Sequence, residues 1–195
     1  YTHIIFANGS YGAMNQNTLD AIEAWVNAGG TLIGQKSGAA IFAKLNWLQA
    51  EFMNTVEVDK LFDTDELKYA DREALRARKL IAGAAFLATA DLTHPLTFGL
   101  DDDILPLFKT SNAVLKVPSK PFIAPIRYTS APLRSGYADP KLEDLIADSA
   151  AVVAHKVGEG QVIGFVDNLN FRGFWYGSSK VFANAIYLAD LLEAR

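Results

Sequence analysis

The stretch Thr31-Leu32-Ile33-Gly34-Gln35-Lys36-Ser37-Gly38-Ala39-Ala40 changes character at its centre. Thr31 to Gly34 is a short apolar run with β-branched residues, which reads as a buried strand. Ser37 to Leu48 reads as a helix entered through a tight turn. The same order occurs just upstream. His3 to Ala7 is a second short apolar run, and it stops at Asn8-Gly9-Ser10, a turn sequence. A helix follows, with Leu19, Ile22, Trp25 and Val26 as its apolar stripe and Asn17, three residues before Asp20, as its expected cap. Gly29-Gly30 ends it, because glycine tolerates the left-handed position past a helix terminus. Strand, helix, strand, helix in this order predicts a parallel sheet covered on both faces.

The rest of the chain fits around that unit. The charged segment Asp65 to Lys79 predicts a surface helix, and Ala84 to Ala90 another strand. Between Phe108 and Tyr137, the prolines Pro118, Pro121, Pro125 and Pro132 break the sequence into short alternating stretches. These read as antiparallel or irregular structure at one side of the domain. Lys141 to Ile146 predicts a short helix. Ala150 to His155 and Gln161 to Val166 are apolar strands joined in hairpin fashion, and Ser178 or Ser179 is the expected cap of a last helix running to Leu192.

Composition removes several functions. The chain has 195 residues, fits one domain (1–195) and carries a formal net charge of −4 without a basic cluster, so nucleic acid is not an expected partner. No apolar run approaches the roughly 20 residues of a membrane helix. There is no cysteine, which excludes a thiolate nucleophile, a disulfide framework and a Cys-based metal site. The three histidines, His3, His94 and His155, lack metal-binding spacing, so no cofactor or metal is expected in this chain. The opening Tyr1-Thr2-His3-Ile4-Ile5-Phe6 already reads as a strand, which suggests a fragment of a longer polypeptide.

Three segments together resemble a known family. They are Tyr1 to Tyr11, Trp25 to Ile33, and Val157 to Asn184, the last containing Val157-Gly158-Glu159-Gly160-Gln161-Val162-Ile163 and Asp167-Asn168-Leu169-Asn170-Phe171-Arg172-Gly173-Phe174-Trp175. Asp91-Leu92-Thr93-His94-Pro95-Leu96 and Phe98-Gly99-Leu100 are also similar. The set resembles the class I glutamine amidotransferase-like domain found C-terminal to the catalytic domain of secreted bacterial zinc carboxypeptidases of the carboxypeptidase A type. The resemblance implies a three-layer α/β fold of flavodoxin-like type, with a mostly parallel sheet and an antiparallel extension. It also implies a parent metallocarboxypeptidase acting in proteolysis of peptides, secreted or periplasmic, with zinc bound in the peptidase domain. That peptidase domain would be the partner within the same polypeptide, and self-association stays open.

A class I amidotransferase needs a cysteine between two glycines at a strand-to-helix elbow, where the helix N-terminus lowers the thiol pKa. The matching turn here is Gly34-Gln35-Lys36-Ser37-Gly38. The glycines are spaced as required, but Lys36 sits at the centre, with a charge disfavoured at a helix N-terminus. The activating histidine is expected after a late strand, where this chain has Asp167-Asn168-Leu169-Asn170-Phe171-Arg172. Both halves of the catalytic pair are missing.

The ends of parallel strands remain the expected binding crevice. They carry Asn8, Ser10, Tyr11, Gln35, Lys36, Ser37, Asp167, Asn168 and Asn170, which either grip a ligand or brace loop backbones. Ser37 reads as a helix cap and is the one weak candidate for a catalytic residue. Arg172, with Phe174 and Trp175, either contacts a partner domain or pins its own loop by pairing with Asp167. The leading reading is a non-catalytic accessory domain serving docking, assembly or ligand binding. Two alternatives are a serine-type hydrolase using Ser37, with backbone amides of Asn8 to Ser10 as an oxyanion hole, and a small-molecule sensor.

Overall fold

The apolar runs become the strands of one seven-stranded sheet in the computed structural model, which describes residues 1–194. In chain order the strands are β1 (His3–Phe6), β2 (Thr31–Gln35), β3 (Ala84–Ala90), β4 (Ile104–Lys109), β5 (Ile126–Ser135), β6 (Ala150–Val157) and β7 (Gly160–Phe165). The principal helices are α1 (Gln16–Asn27), α2 (Ser37–Lys44), α3 (Thr55–Asp59), α4 (Arg72–Arg78), α5 (Pro140–Ile146) and α6 (Tyr176–Tyr187).

Across the sheet the order is β1-β2-β7-β6-β5-β3-β4. Parallel pairing is confined to β1, β2 and β7, and every other pairing is antiparallel. The antiparallel part is therefore larger than an extension at one side. The cause is local: only two residues, Gly158 and Glu159, separate the paired Val157 and Gly160, and so short a connection permits only antiparallel neighbours. Four successive reversals from β7 to β4 leave β4 running in the same direction as β2. Its carboxyl end therefore reaches the same rim of the sheet as the elbow.

Neighbouring residues on one strand point to opposite faces, and the core divides accordingly. Leu32, Val162 and Val153 pack with Val26 of α1 and with Phe42, Trp47 and Leu48 from α2 and the loop after it. Ile33, Ile163 and Val152 pack on the other side with Leu142 and Ile146 of α5, Val181 and Ala185 of α6, and Phe86.

Several helix boundaries differ from the sequence expectation, each for an identifiable reason. α1 begins two residues earlier, because Asn15 rather than Asn17 accepts the Thr18 amide, at 2.9 Å. α2 stops at Lys44, before a turn in which Asn46 has a positive φ of 59°. The charged segment forms a single 3-10 turn at Tyr69–Asp71 followed by α4, while α3, capped reciprocally by Asn54 and Glu57, was not expected. α6 starts at Tyr176, ahead of both serines. Ser178 Oγ instead donates to Leu169 O at 2.7 Å and ties the helix to the loop after β7.

Candidate functional site

The elbow is built by close approach. Lys36 links β2 to α2 with φ 53° and ψ −117°, a sparsely populated backbone state costing on the order of 1–3 kcal/mol. Its amide is anchored to Phe165 O of β7 at 2.9 Å. The flanking glycines are required by space. A Cβ at Gly34 would lie 2.6 Å from the Phe42 ring, and one at Gly38 would overlap the backbone oxygen of Phe6. The turn from β2 into α2 is thus strained and tightly packed, with a lysine at its apex.

Ser37 is the first residue of α2 and does not cap it; the helix has no side-chain cap. Its hydroxyl points back to the loop after β1, accepting the Gly9 amide at 2.8 Å and offering its proton to Gly9 O (2.8 Å) and Asn8 Oδ1 (3.1 Å). None of these partners is a general base. The Gly9 amide, one of the expected oxyanion donors, is spent on Ser37 itself.

Lys36 Nζ donates to Thr110 Oγ1 at 2.7 Å, which brings the end of β4 to the elbow. Beneath it lies a charged group away from solvent. Lys109, fully buried, places Nζ 3.5 Å from Asp167 Oδ2 and 2.7 Å from Ala113 O. Tyr128 OH donates to the same Asp167 oxygen, and its ring lies 5.1 Å below the Lys109 ammonium. Burial pushes the Lys109 pKa down, Asp167 opposes that shift, and the charge of Lys36 adds to it. Burial, then the Asp167 carboxylate, pushes Tyr128 well up.

A cleft of about 440 Å³ opens at this rim, lined by Asn8, Lys36, Ser37 and Ala40 from the elbow side of the chain, by Phe52, Met53, Thr55, Val58 and Asp59, and by Ser111, Asn112 and Ala113. Of the expected crevice residues, Asn8, Lys36 and Ser37 come together here. Gln35, Asn168 and Tyr11 are engaged within the fold. Gln35 Oε1 accepts the Leu169 amide at 2.9 Å, Asn168 Oδ1 accepts the Asn170 amide at 3.0 Å, and Tyr11 bonds to Ala7 O while its ring packs on Phe6. Ser10 and Asn170 are exposed. The wall from Phe52 to Asp59 and the segment Ser111 to Ala113 were missed. The polar run Thr110-Ser111-Asn112 after an alternating stretch was the available signal. A second cleft, of about 450 Å³, lies away from the elbow, and its cation Lys116 is already held by Glu57 at 3.3 Å and Glu51 at 3.8 Å.

Arg172 does not pair with Asp167. It is exposed at φ 51°, with its guanidinium 5.3 Å from the Phe171 ring centre. Around it Phe108 and Phe171 stack at 4.8 Å, and Phe174 and Trp175 meet Phe108 at 5.5 and 6.0 Å. The aromatics hold the loop and leave Phe174 half exposed.

The histidines are also accounted for. His155 is buried in β6, where Nε2 accepts the Gln49 amide at 3.0 Å, and burial lowers its pKa. His94 accepts the Leu96 amide at 3.2 Å, and burial lowers its pKa too, against the pull of Asp91. His3 sits on the edge strand β1. Among the described residues no group of three or more His, Cys, Asp or Glu is placed to hold a metal ion, and no helix is long and apolar enough to cross a membrane.

No protein-family model matches the chain, and no curated protein does. Solved structures do. A protein from Parabacteroides merdae described as ThuA-like superposes with a TM-score of 0.60 at 12% identity, over 100% of this chain and 72% of that one. This likeness shows a shared fold. A GH42 β-galactosidase from G. stearothermophilus (TM-score 0.49, 13% identity) and a cytoplasmic protein from Salmonella typhimurium (0.48, 14%) each align with 100% of this chain, covering 22% and 73% of their own. The chain thus spans about a fifth of the β-galactosidase. No carboxypeptidase stands among these three.

Proposed function

We propose that the chain is a non-catalytic accessory domain with a three-layer, amidotransferase-like scaffold. The observation that carries this reading is the elbow. Its strained turn and tight glycines are kept, while its apex bears Lys36, and the neighbouring Ser37 hydroxyl is engaged with Asn8 and Gly9. A scaffold that holds this shape without a thiol is suited to binding or support. The likeness to the ThuA-like protein is compatible with such a scaffold.

The parent in this reading is a secreted or periplasmic zinc metallocarboxypeptidase-like protein, on the strength of the sequence resemblance alone. Zinc belongs to its peptidase domain, and this domain docks there through Arg172, Phe174 and Trp175. Exposed arginine and aromatic side chains supply much of the energy of protein interfaces, and Phe174 and Arg172 are exposed side by side. The coding sequence upstream of Tyr1 tests the reading. A His-x-x-Glu pair, a distant histidine and an export signal are expected there; a different catalytic domain would overturn the carboxypeptidase assignment.

A further inference from the structure

We propose that the cleft at the elbow binds a small organic monocarboxylate, with Lys36 holding its charged end and Phe52, Met53 and Val58 covering its apolar body. The inference rests on the accessory reading above, since a catalytic elbow would put the cleft to another use.

Charge makes the first argument. Lys36 is the only cation among the cleft residues, and its one side-chain partner, Thr110, is neutral. The single lining carboxylate, Asp59, is already engaged by Lys79 at 2.7 Å. Below the floor, Lys109 is matched by Asp167. The cleft therefore offers one uncompensated positive charge, which suits a monoanion better than a dianion. The uncapped start of α2 adds to the same field, because free amides there favour negative charge.

Shape and hydrogen bonding make the second. The lining from Phe52, Met53 and Val58 is apolar, and the volume of about 440 Å³ falls in the range of small-molecule sites. Ser111 Oγ lies at this cleft buried and without a protein partner. Its oxygen is closed to solvent, so a rotation about χ1 would be needed to turn the hydroxyl, an unpaired donor, toward the second carboxylate oxygen. A strained lysine is also costly to keep where glycine would adopt the same backbone freely, which argues that its side chain is used.

The test is a titration of the isotope-labelled chain, followed by backbone amide resonances, with phenylbutyrate, its neutral amide and inorganic phosphate. Phenylbutyrate should shift the signals of Lys36 to Ala40 and Ser111 to Ala113, and bind at least about tenfold tighter than the amide. Lys36→Gln should abolish that preference, and Lys120→Gln, at an exposed lysine outside the cleft, should keep it. Equal binding of acid and amide overturns the proposal, as do tighter binding of phosphate, shifts elsewhere, or no saturable shift. The acid-to-amide comparison on the unaltered chain stands even if Lys36→Gln fails to fold. Hydrolysis of the amide would overturn the accessory reading instead, whereas absence of binding would leave that reading in place.

Discussion

Lys109 Nζ lies 3.5 Å from Asp167 Oδ2 with both side chains closed to solvent, so the end of β4 is tied across the sheet to the loop after β7. Removing one partner of a buried ion pair strands the other. Lys109→Met should cost about 3–5 kcal/mol, read as a lower urea midpoint. The double variant Lys109→Met, Asp167→Leu should recover much of that loss, although Tyr128 then loses its acceptor. A loss below about 1 kcal/mol for the single variant, the range of exposed pairs, would show that the contact contributes little.

His155 predicts a pH dependence. Burial holds its folded pKa below the ordinary 6.5, so between the folded value and 6.5 the unfolded chain binds more protons than the folded one. Stability should therefore fall as the pH drops through that window. His94, shifted the same way by burial, adds to the effect. Denaturant melts from pH 7.5 to pH 5 (about the interval over which histidine titrates) should show this decline, and His155→Gln should flatten it. An unchanged slope in the variant would remove His155 from the account.

The start of α1 separates two candidate caps. Asn15 accepts the Thr18 amide and hydroxyl at 2.9 and 3.0 Å, whereas Asn17 is an exposed residue inside the helix. Asn15→Ala should destabilise the chain by about 1 kcal/mol, and Asn17→Ala should be close to neutral. Thermal melts of the two variants decide between them, and the reverse order would restore the cap expected from sequence.

The elbow predicts a chemical property. Lys36→Cys would place the only thiol of the chain at the N-terminus of α2, where the helix field lowers thiol pKa. Its alkylation at neutral pH should outpace that of a cysteine introduced at Ala21, an exposed position within α1. Glutamine hydrolysis should not appear, because no histidine stands near the elbow to activate the thiol. Slow alkylation would argue that the turn does not present its apex to solvent.

The parts legible in the sequence were those set by local patterning. Strands β1, β2, β3, β6 and β7 announced themselves as apolar runs, and Gly29, with φ 116°, ended α1 as read. The elbow was legible too, because close approach admits only glycine at positions 34 and 38. Illegible was whatever depends on distant pairing. Nothing near Asp167 in the chain says that its partners are Lys109 and Tyr128 rather than Arg172. The cleft wall at Phe52 and Met53 comes from a segment without clear periodicity, and β4 reaches the rim only through four reversals of direction. The cap at Asn15 was hidden because two asparagines lie two residues apart and only backbone geometry chooses between them.

In the proposed accessory role the elbow holds its strained turn without serving as a nucleophile site, a property that covalent labelling checks on the intact chain. The purified chain would be exposed to an excess of a fluorophosphonate and its intact mass measured, followed by peptide mapping. Ser37 hydrogen-bonds to Asn8 and Gly9 and has no base among its partners, so no mass increase is predicted. A stoichiometric adduct at Ser37 would contradict the account and establish a serine-type active site.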